Sequence, residues 1–454
     1  MRNDGNRIEP AQPRAVRRRG RAGRGLLAVV AVLAMVGAAC SSSSSSGGST
    51  AATTSTADAN AQFVSLGGWN DGACSTSKPA VKVSLIAPIE APGTSLSGYA
   101  DGAKAAVTAF NQRGGVKGGC LDLSVCDSKG DGPTELACAR SETEDSSVVA
   151  GLASTFTSVE SDAYQLFETA GLAQVGAQVT LPSSWNSPVS FEFTMGGSGT
   201  LLAGIPALDN VGVKKFDIFV PQSGQSGGIR TFAQPMLDKL GMTLANIIEI
   251  PPTAVEFTQF VQTAENDGAQ GIVLGLPEST ATQILDAMNS LNSTLKVSAA
   301  WGSFSQKAVA SQPETIASNM AFNDAVPPLA TDLTRWPIYN VVLADFAASG
   351  QSSLTQDNST VQAVNGWLSV YALAKVMRDS SATEVTRASV LQAFNTATNV
   401  PMFDLVPPWT PSKQSTNQIF KGISNPYYWV GTWDAGSKQF VVSDKQVDIL
   451  ALLS

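Results

Sequence analysis

The chain has 454 residues, 43% hydrophobic and 15% charged, with 29 basic and 37 acidic side chains for a formal charge of −8. It contains no histidine, so neither a Ser-His-Asp or Cys-His relay nor a His-ligated zinc or haem site can form within it. Five dispersed cysteines exclude a Cys-rich zinc module. The acidic balance argues against nucleic acid as a partner, because phosphate binding needs a basic face.

Charge is uneven along the chain. Residues 1–39 hold eight arginines and two acids, leaving 21 basic (29 − 8) and 35 acidic (37 − 2) residues, net −14, in the body. Arg17, Arg18, Arg19, Arg21 and Arg24 precede an apolar stretch from Leu26 to Ala39. That stretch falls short of the roughly 20 apolar residues of a membrane span and reads as a signal peptide. Small residues, then Cys40, then the serine run Ser41 to Ser46 resemble a bacterial lipoprotein signal, although Gly37 stands where an aliphatic residue is usual. The resemblance implies a signal peptide over 1–39, lipidation of Cys40, and a Ser/Gly/Thr-rich tether over 40–78 that cannot bury a core. The body would then sit on the outer face of the cell membrane. No later stretch is apolar for long enough to span a bilayer.

From Pro79 onward, short β-rich runs alternate with segments of helical period. Val81 to Ala87 reads as a strand, and Ala103, Ala106, Val107 and Phe110 mark a helix stopped by Gly114-Gly115. Leu121, Leu123 and Val125 alternate as a second strand, residues 133–144 suit a helix, and Val148 to Leu152 is a third strand. A helix through Ala163, Phe167 and Ala170 leads to a strand at Leu172 to Val175. A second set follows: strands at Phe216 to Val220, Ile247 to Ile250, Gly271 to Leu276 and Lys296 to Ala300, with helices through Met236, Val261 and Leu285 between them. Further helices are expected near 333–348, 360–378 and 384–396. Tyr428 to Trp433 and Gln439 to Val442 bracket a hairpin turn. Such alternation calls for parallel sheets covered on both faces, with ligands at their C-terminal edges.

The run VKVSLIAPIEAPG, the helix ending AFNQRGGVKGG, the strand CLDLSVCDSKGDG, and VVAGLASTFTSV with GLAQVGAQVTLP resemble the type I periplasmic binding proteins, in the branch of branched-chain amino-acid and amide receptors of ABC importers. The resemblance implies an α/β fold of two Rossmann-like lobes with parallel central sheets, joined by a hinge of three crossovers near 193–197, 322–328 and 405–428. The N-lobe would hold 79–195 and 326–410, and the C-lobe 196–325 and 411–454. The implied function is capture of a small organic ligand (an amino acid, amide or carboxylate) by a monomer that hands it to ABC permease subunits, with no cofactor and no catalysis. A ligand sensor of the cell envelope is the alternative.

Contacts of that family carry over position by position. Ser154 and Thr155 match the loop whose hydroxyl and N–H groups hold a ligand carboxylate, and both also suit a helix N-cap. Gln178, Val179 and Thr180 match the next contact loop. Gln225 falls where an aromatic residue is frequent, Glu278 follows a matching strand end, and Trp301 falls where amino-acid receptors place an acid against the ligand ammonium. These departures lead to the expectation of a small carboxylate, amide or aromatic acid lying against Trp301 rather than a zwitterion.

Two short motifs weigh less. Gly224-Gln225-Ser226-Gly227-Gly228 matches a nucleophile elbow, but no histidine can take the serine proton. Asp127 to Gly132 suggests a calcium loop, yet Lys129 and Cys138 occupy ligand positions. Cys74, Cys120, Cys126 and Cys138 allow three disulfide connectivities. Cys120 and Cys126 flank one strand, about 20 Å apart at 3.3 Å per residue, whereas Cys74 and Cys120 precede neighbouring strands. Cys74–Cys120 with Cys126–Cys138 is therefore expected.

Overall fold

The structure, a computed structural model, describes residues 56–91, 95–222, 226–329, 333–351, 353–356 and 358–454. The expected signal peptide over 1–39, Cys40 and Gln225 lie outside them.

The strands sort into two sheets. In the first, β1 (Val81–Ala87), β2 (Leu121–Asp127), β3 (Val148–Leu152), β4 (Ala173–Val175) and β5 (Ser190–Phe191) run parallel in the order β2-β1-β3-β4-β5. The second holds β6 (Lys215–Pro221), β7 (Thr243–Ile250), β8 (Gly271–Leu274), β9 (Lys296–Ala300), β10 (Met320–Asp324), β11 (Tyr427–Asp434) and β12 (Gln439–Val442) in the order β12-β11-β10-β9-β8-β6-β7. Its first five strands are parallel, and the hairpin β11–β12 extends it antiparallel. Inner strands such as β3 are buried along their whole length, which is why they read as continuous apolar runs. The expected α/β architecture of two parallel-sheet lobes is present.

The chain passes between the sheets three times. After β5 it enters the helix Gly196–Asn210, which packs on β8, β9 and β10. After β10 it returns to the helix Ile338–Ala348, which packs against the helices Thr56–Ser65 and Ser97–Gln112 of the first sheet. The helix Arg387–Thr396, set against β3 and β4, leads back to β11. Among the described residues, no helix is long and apolar enough to cross a membrane.

Two elements differ from the sequence reading. The helix Thr56–Ser65 lies inside the expected tether. Ala59 and Phe63, one helical turn apart, are fully buried, and Phe63 packs edge-on to Trp69, Phe110 and Trp367. One aromatic at helical spacing outweighs the small polar composition around it. The helix Gly196–Asn210 is not among the expected elements; its glycines and Pro206 are residues that weaken a helical pattern.

Two glycines set the geometry of the first lobe. A Cβ on Gly102 would lie 1.9 Å from the Ala363 carbonyl oxygen, and one on Gly366 would lie 2.1 Å from that of Tyr99. The helices Ser97–Gln112 and Val361–Asp379 therefore touch backbone to backbone, which brings Tyr99 and Asn365 together. Behind them Arg113 makes a bidentate pair with Asp345 (2.8 and 2.6 Å), both side chains almost fully buried. Cys74 bonds Cys120 and Cys126 bonds Cys138, with Cα separations of 5.1 and 5.9 Å; these are the two pairs selected by strand position.

Candidate functional site

The C-terminal ends of both sheets open on one cleft of about 1580 Å³. Its lining follows from the topology: Thr155 comes after β3, Gln178 and Thr180 after β4, Leu276 and Glu278 after β8, Ala300 and Gly302 from the end of β9, and Asn323 and Asp324 from the end of β10. The helices Ser97–Gln112 and Val361–Asp379 add Tyr99, Gln362 and Asn365. The Gln362 amide donates across the cleft to the Gly302 carbonyl at 2.9 Å.

The loop after β3 turns through Ala153, at φ 49°, a left-handed conformation unusual for alanine. The turn sends the two hydroxyls to different places. Ser154 is fully buried, and its Oγ accepts the Ile86 N–H at 3.2 Å. It ties the loop to β1 and does not line the cleft. Thr155 does line it, and its buried hydroxyl has no protein partner.

The segment that leads from this loop into the next helix is already occupied. The buried Glu135 carboxylate accepts the N–H groups of Thr157 (2.8 Å), Ser158 (3.1 Å) and Val159 (3.4 Å) and the Thr157 hydroxyl (2.5 Å). The next loop repeats the arrangement. Thr180 donates its N–H and its hydroxyl, the latter at 2.6 Å, to Glu160, and Leu181 adds its N–H at 2.9 Å. Burial holds the Glu160 carboxyl above its ordinary range, against these donors. Thr180 thus lines the cleft with its hydroxyl committed. Val179 is buried off the cleft, whereas Gln178 lines it, its buried amide nitrogen without a protein partner.

On the second sheet the expectation for Trp301 is overturned. Its ring stacks parallel on Phe322 (6.5 Å, 9°) and edge-on to Phe440, 1% exposed, on the opposite side of β9 from the cleft. Successive strand residues alternate faces, so it is Ala300 and not Trp301 that lines the cleft. The acid missed by sequence reasoning is Asp324. It lies at the cleft with 6% exposure and accepts the N–H groups of Gly302 (3.1 Å) and Ala325 (2.8 Å). Burial pushes its carboxyl up to about 7, against those backbone donors. Beside it Asn323 gives its amide N–H to Ser298 (3.4 Å) and keeps its carbonyl oxygen unpaired. The carbonyl oxygen of the buried Asn365, across the cleft, is unpaired too. Glu278 opens the helix Glu278–Leu291 at the rim, and burial raises its carboxyl.

Of the two motifs set aside above, Asp127 to Gly132 is a turn, and the described part of the other, Ser226–Gly228, is a single 3-10 turn. Asp127 accepts the N–H groups of Ile89 and Lys129, both at 2.9 Å, and Ser226 bonds to Glu249. Trp367 and Tyr371 stack at 5.8 Å inside the core.

A family model described as periplasmic binding protein matches residues 80–437. No curated protein matches the chain. Among solved structures, a fatty acid ABC transporter substrate-binding protein from Thermomonospora curvata superposes with a TM-score of 0.65 at 14% identity, covering 84% of this chain and 95% of that one. A solute binding protein from R. palustris in complex with 4-hydroxybenzoate gives 0.64 at 15%, covering 82% and 98%. A substrate-binding protein from Desulfitobacterium hafniense in complex with Leu gives 0.57 at 15%, covering 80% and 100%. With the two parallel-sheet lobes and the cleft between their strand ends, the match over most of its length means that the chain belongs to the periplasmic binding protein family.

Proposed function

We propose that this protein is the extracytoplasmic receptor of an ABC importer, which captures a small organic solute in its cleft and presents it to the permease. The observation that carries the reading is the cleft itself. Strand ends of both sheets line it, and so do residues that carry unpaired buried polar atoms, on both sides: Thr155, Gln178 and Asn365 on one, Asn323 on the other. Such atoms are costly unless something pairs with them. The neighbours named for fatty acid, 4-hydroxybenzoate and Leu support a small organic solute. The lobes are 79–195 with 326–410, and 196–325 with 411–454, hinged at the three crossings. Cys40, diacylated after removal of 1–39, holds the body on the membrane, since two acyl chains anchor stably where one does not.

The test is a thermal-shift and calorimetric screen of amino acids, amines, amides, carboxylates and sugars against the purified protein. Saturable one-to-one binding of one class is expected. A silent screen refutes the receptor reading. Cys40→Ala releases the protein from the membrane fraction or leaves it unprocessed, and unchanged retention and processing refute the anchor.

A further inference from the structure

The cleft is short of what a carboxylate needs. Of the two loops that would offer donors to an anion, the Thr157, Ser158, Thr180 and Leu181 N–H groups and the Thr180 hydroxyl go to carboxylates of this chain, Glu135 and Glu160; the Thr155 hydroxyl and Gln178 Nε2 are left over. A second anion placed there would meet a buried like charge, with only those two neutral donors to offset it. The described lining carries the acids Asp101, Glu278 and Asp324 against one cation, Lys129. The unpaired buried oxygens, Asn323 Oδ1 and Asn365 Oδ1, are acceptors seeking N–H donors, and they belong to residues 1% and 3% exposed on opposite sides of the cleft. Tyr99, which touches the Asn365 amide and feels the Asp324 charge, joins them into one polar floor. The second lobe also offers apolar side chains to the cleft: Leu201, Val220, Ile229, Phe232 and Leu276.

Resting on the receptor reading, we infer that the ligand is an amphiphile with a cationic, donor-rich nitrogen head, an amine or amidine without a carboxylate. The head lies against Asp324, Asn323 and Asn365, and the apolar body against the wall from Leu201 to Leu276. A protonated amine offers up to three N–H donors, which matches one carboxylate and two amide oxygens. Gln178 Nε2 and the Thr155 hydroxyl can donate to an oxygen elsewhere on the ligand.

The test changes the head and keeps the body. 2-Phenylethylamine, 3-phenylpropanoate and phenylalanine, with hexylamine and hexanoate as a second pair, are titrated calorimetrically into the full-length protein. Each amine is expected to bind at least about tenfold more tightly than its paired acid, with phenylalanine between them, as a charge-assisted hydrogen bond would give. Asp324→Asn, nearly isosteric, is expected to cut amine affinity by about 10- to 100-fold, and Asn365→Ala, on the other lobe, by about 3- to 10-fold. Circular dichroism checks that both variants fold. Acids that bind as tightly as the amines, amines that do not bind, or variants that leave amine affinity unchanged overturn the assignment. If the acids bind and the amines do not, the receptor reading stands and the head-group assignment falls. If the wider solute screen is silent as well, both fall.

Discussion

The clamp behind the cleft offers a quantitative test of what holds the first lobe together. Arg113 and Asp345 are 1% and 3% exposed, joined through two hydrogen bonds of 2.8 and 2.6 Å. Arg113 also donates to Asn60 Oδ1 at 2.8 Å and lies 4.6 Å over the Phe63 ring, while Trp367 Nε1 donates to Asp345 at 2.9 Å. Four separate segments thus meet at one ion pair. Asp345→Ala strands a guanidinium that cannot shed its proton, and should cost about 3–5 kcal/mol. Arg113→Met strands a carboxylate that can neutralise by taking up a proton, and should cost less, about 2–4 kcal/mol. The double variant Arg113→Met/Asp345→Ala removes both charges together and should return to within about 2 kcal/mol of the parent. The cycle then yields a coupling of about 3 kcal/mol or more, read from urea unfolding followed by tryptophan fluorescence. An Asp345→Ala loss below about 1 kcal/mol, or a double variant equal to the sum of its singles, would refute the clamp.

Further expectations concern pH, redox state and motion. Glu142 is buried with its carboxyl pushed up to about 8 by desolvation, against the pull of Ser84 and Arg387. Its folded value lies above the unfolded one, so stability falls as pH rises from about 4.5 to about 8; Glu142→Gln should flatten that slope and raise Tm at pH 8, and parallel curves would argue against it. Loop-closure entropy assigns roughly 4 kcal/mol to Cys74–Cys120 across 46 residues and roughly 3 kcal/mol to Cys126–Cys138 across 12; replacing the first pair by serine should lower Tm more than replacing the second, and the reverse order would discard the entropic account. Small-angle scattering should show a smaller radius of gyration at ligand saturation, and identical profiles would count against hinge closure. The charged groups and phenols acting on Asp324 are Tyr99, Tyr339 and Tyr428, all neutral across the physiological range. Affinity for an amine should therefore drop as pH falls through about 7 and Asp324 protonates, and a flat profile from pH 5.5 to 8 would show that Asp324 does not contact the ligand.

Strand positions were legible because buried parallel strands are continuous apolar runs bounded by turn residues. VKVSLIA, VVAGL and KVSAA each became a strand with the expected ends. The site was legible only in outline. Thr155, Gln178, Thr180 and Glu278 reach the cleft because strand ends bring them there, and the alternation of strand and helix gives the strand ends. Trp301 went astray because a strand's last residues differ in face with every step, and a one-residue uncertainty inverts inside and outside. Ser154 and Val179 sit beside cleft residues but are buried away from it, because they lie in loops whose local turns, such as the one at Ala153, cannot be read from strand periodicity. Asp324 was missed because a single acid closing an apolar run looks like the start of a turn. Glu135 and Glu160 look like ordinary first-turn helix acids. That their carboxylates cross to the N–H groups of other loops depends on contacts between segments 20 or more residues apart.

Those two internal carboxylates also bear on how a ligand could close the hinge. A loop whose donors are already satisfied is held in shape before the ligand arrives, so little ordering cost remains on that side. It also has less to offer, and closure must be driven by contacts that bridge the lobes. The Gln362–Gly302 bond already spans them, but at about 1 kcal/mol a single bond shifts a two-state balance by only about fivefold. Moving from 1:99 to 99:1 takes about 5.5 kcal/mol. A charged head shared by Asp324 and Asn365 supplies about 1.5–3 kcal/mol of this. Closing the first lobe over the apolar body of a ligand seated on the wall takes a further ~100 Å² from water and supplies about 2.5 kcal/mol more. Neither part is enough alone, and together they approach the requirement. On these magnitudes a bare head such as methylammonium binds weakly and leaves the scattering profile open, whereas the same head on a phenyl or hexyl body closes it. Full closure by methylammonium would show that the apolar wall has no part in the motion.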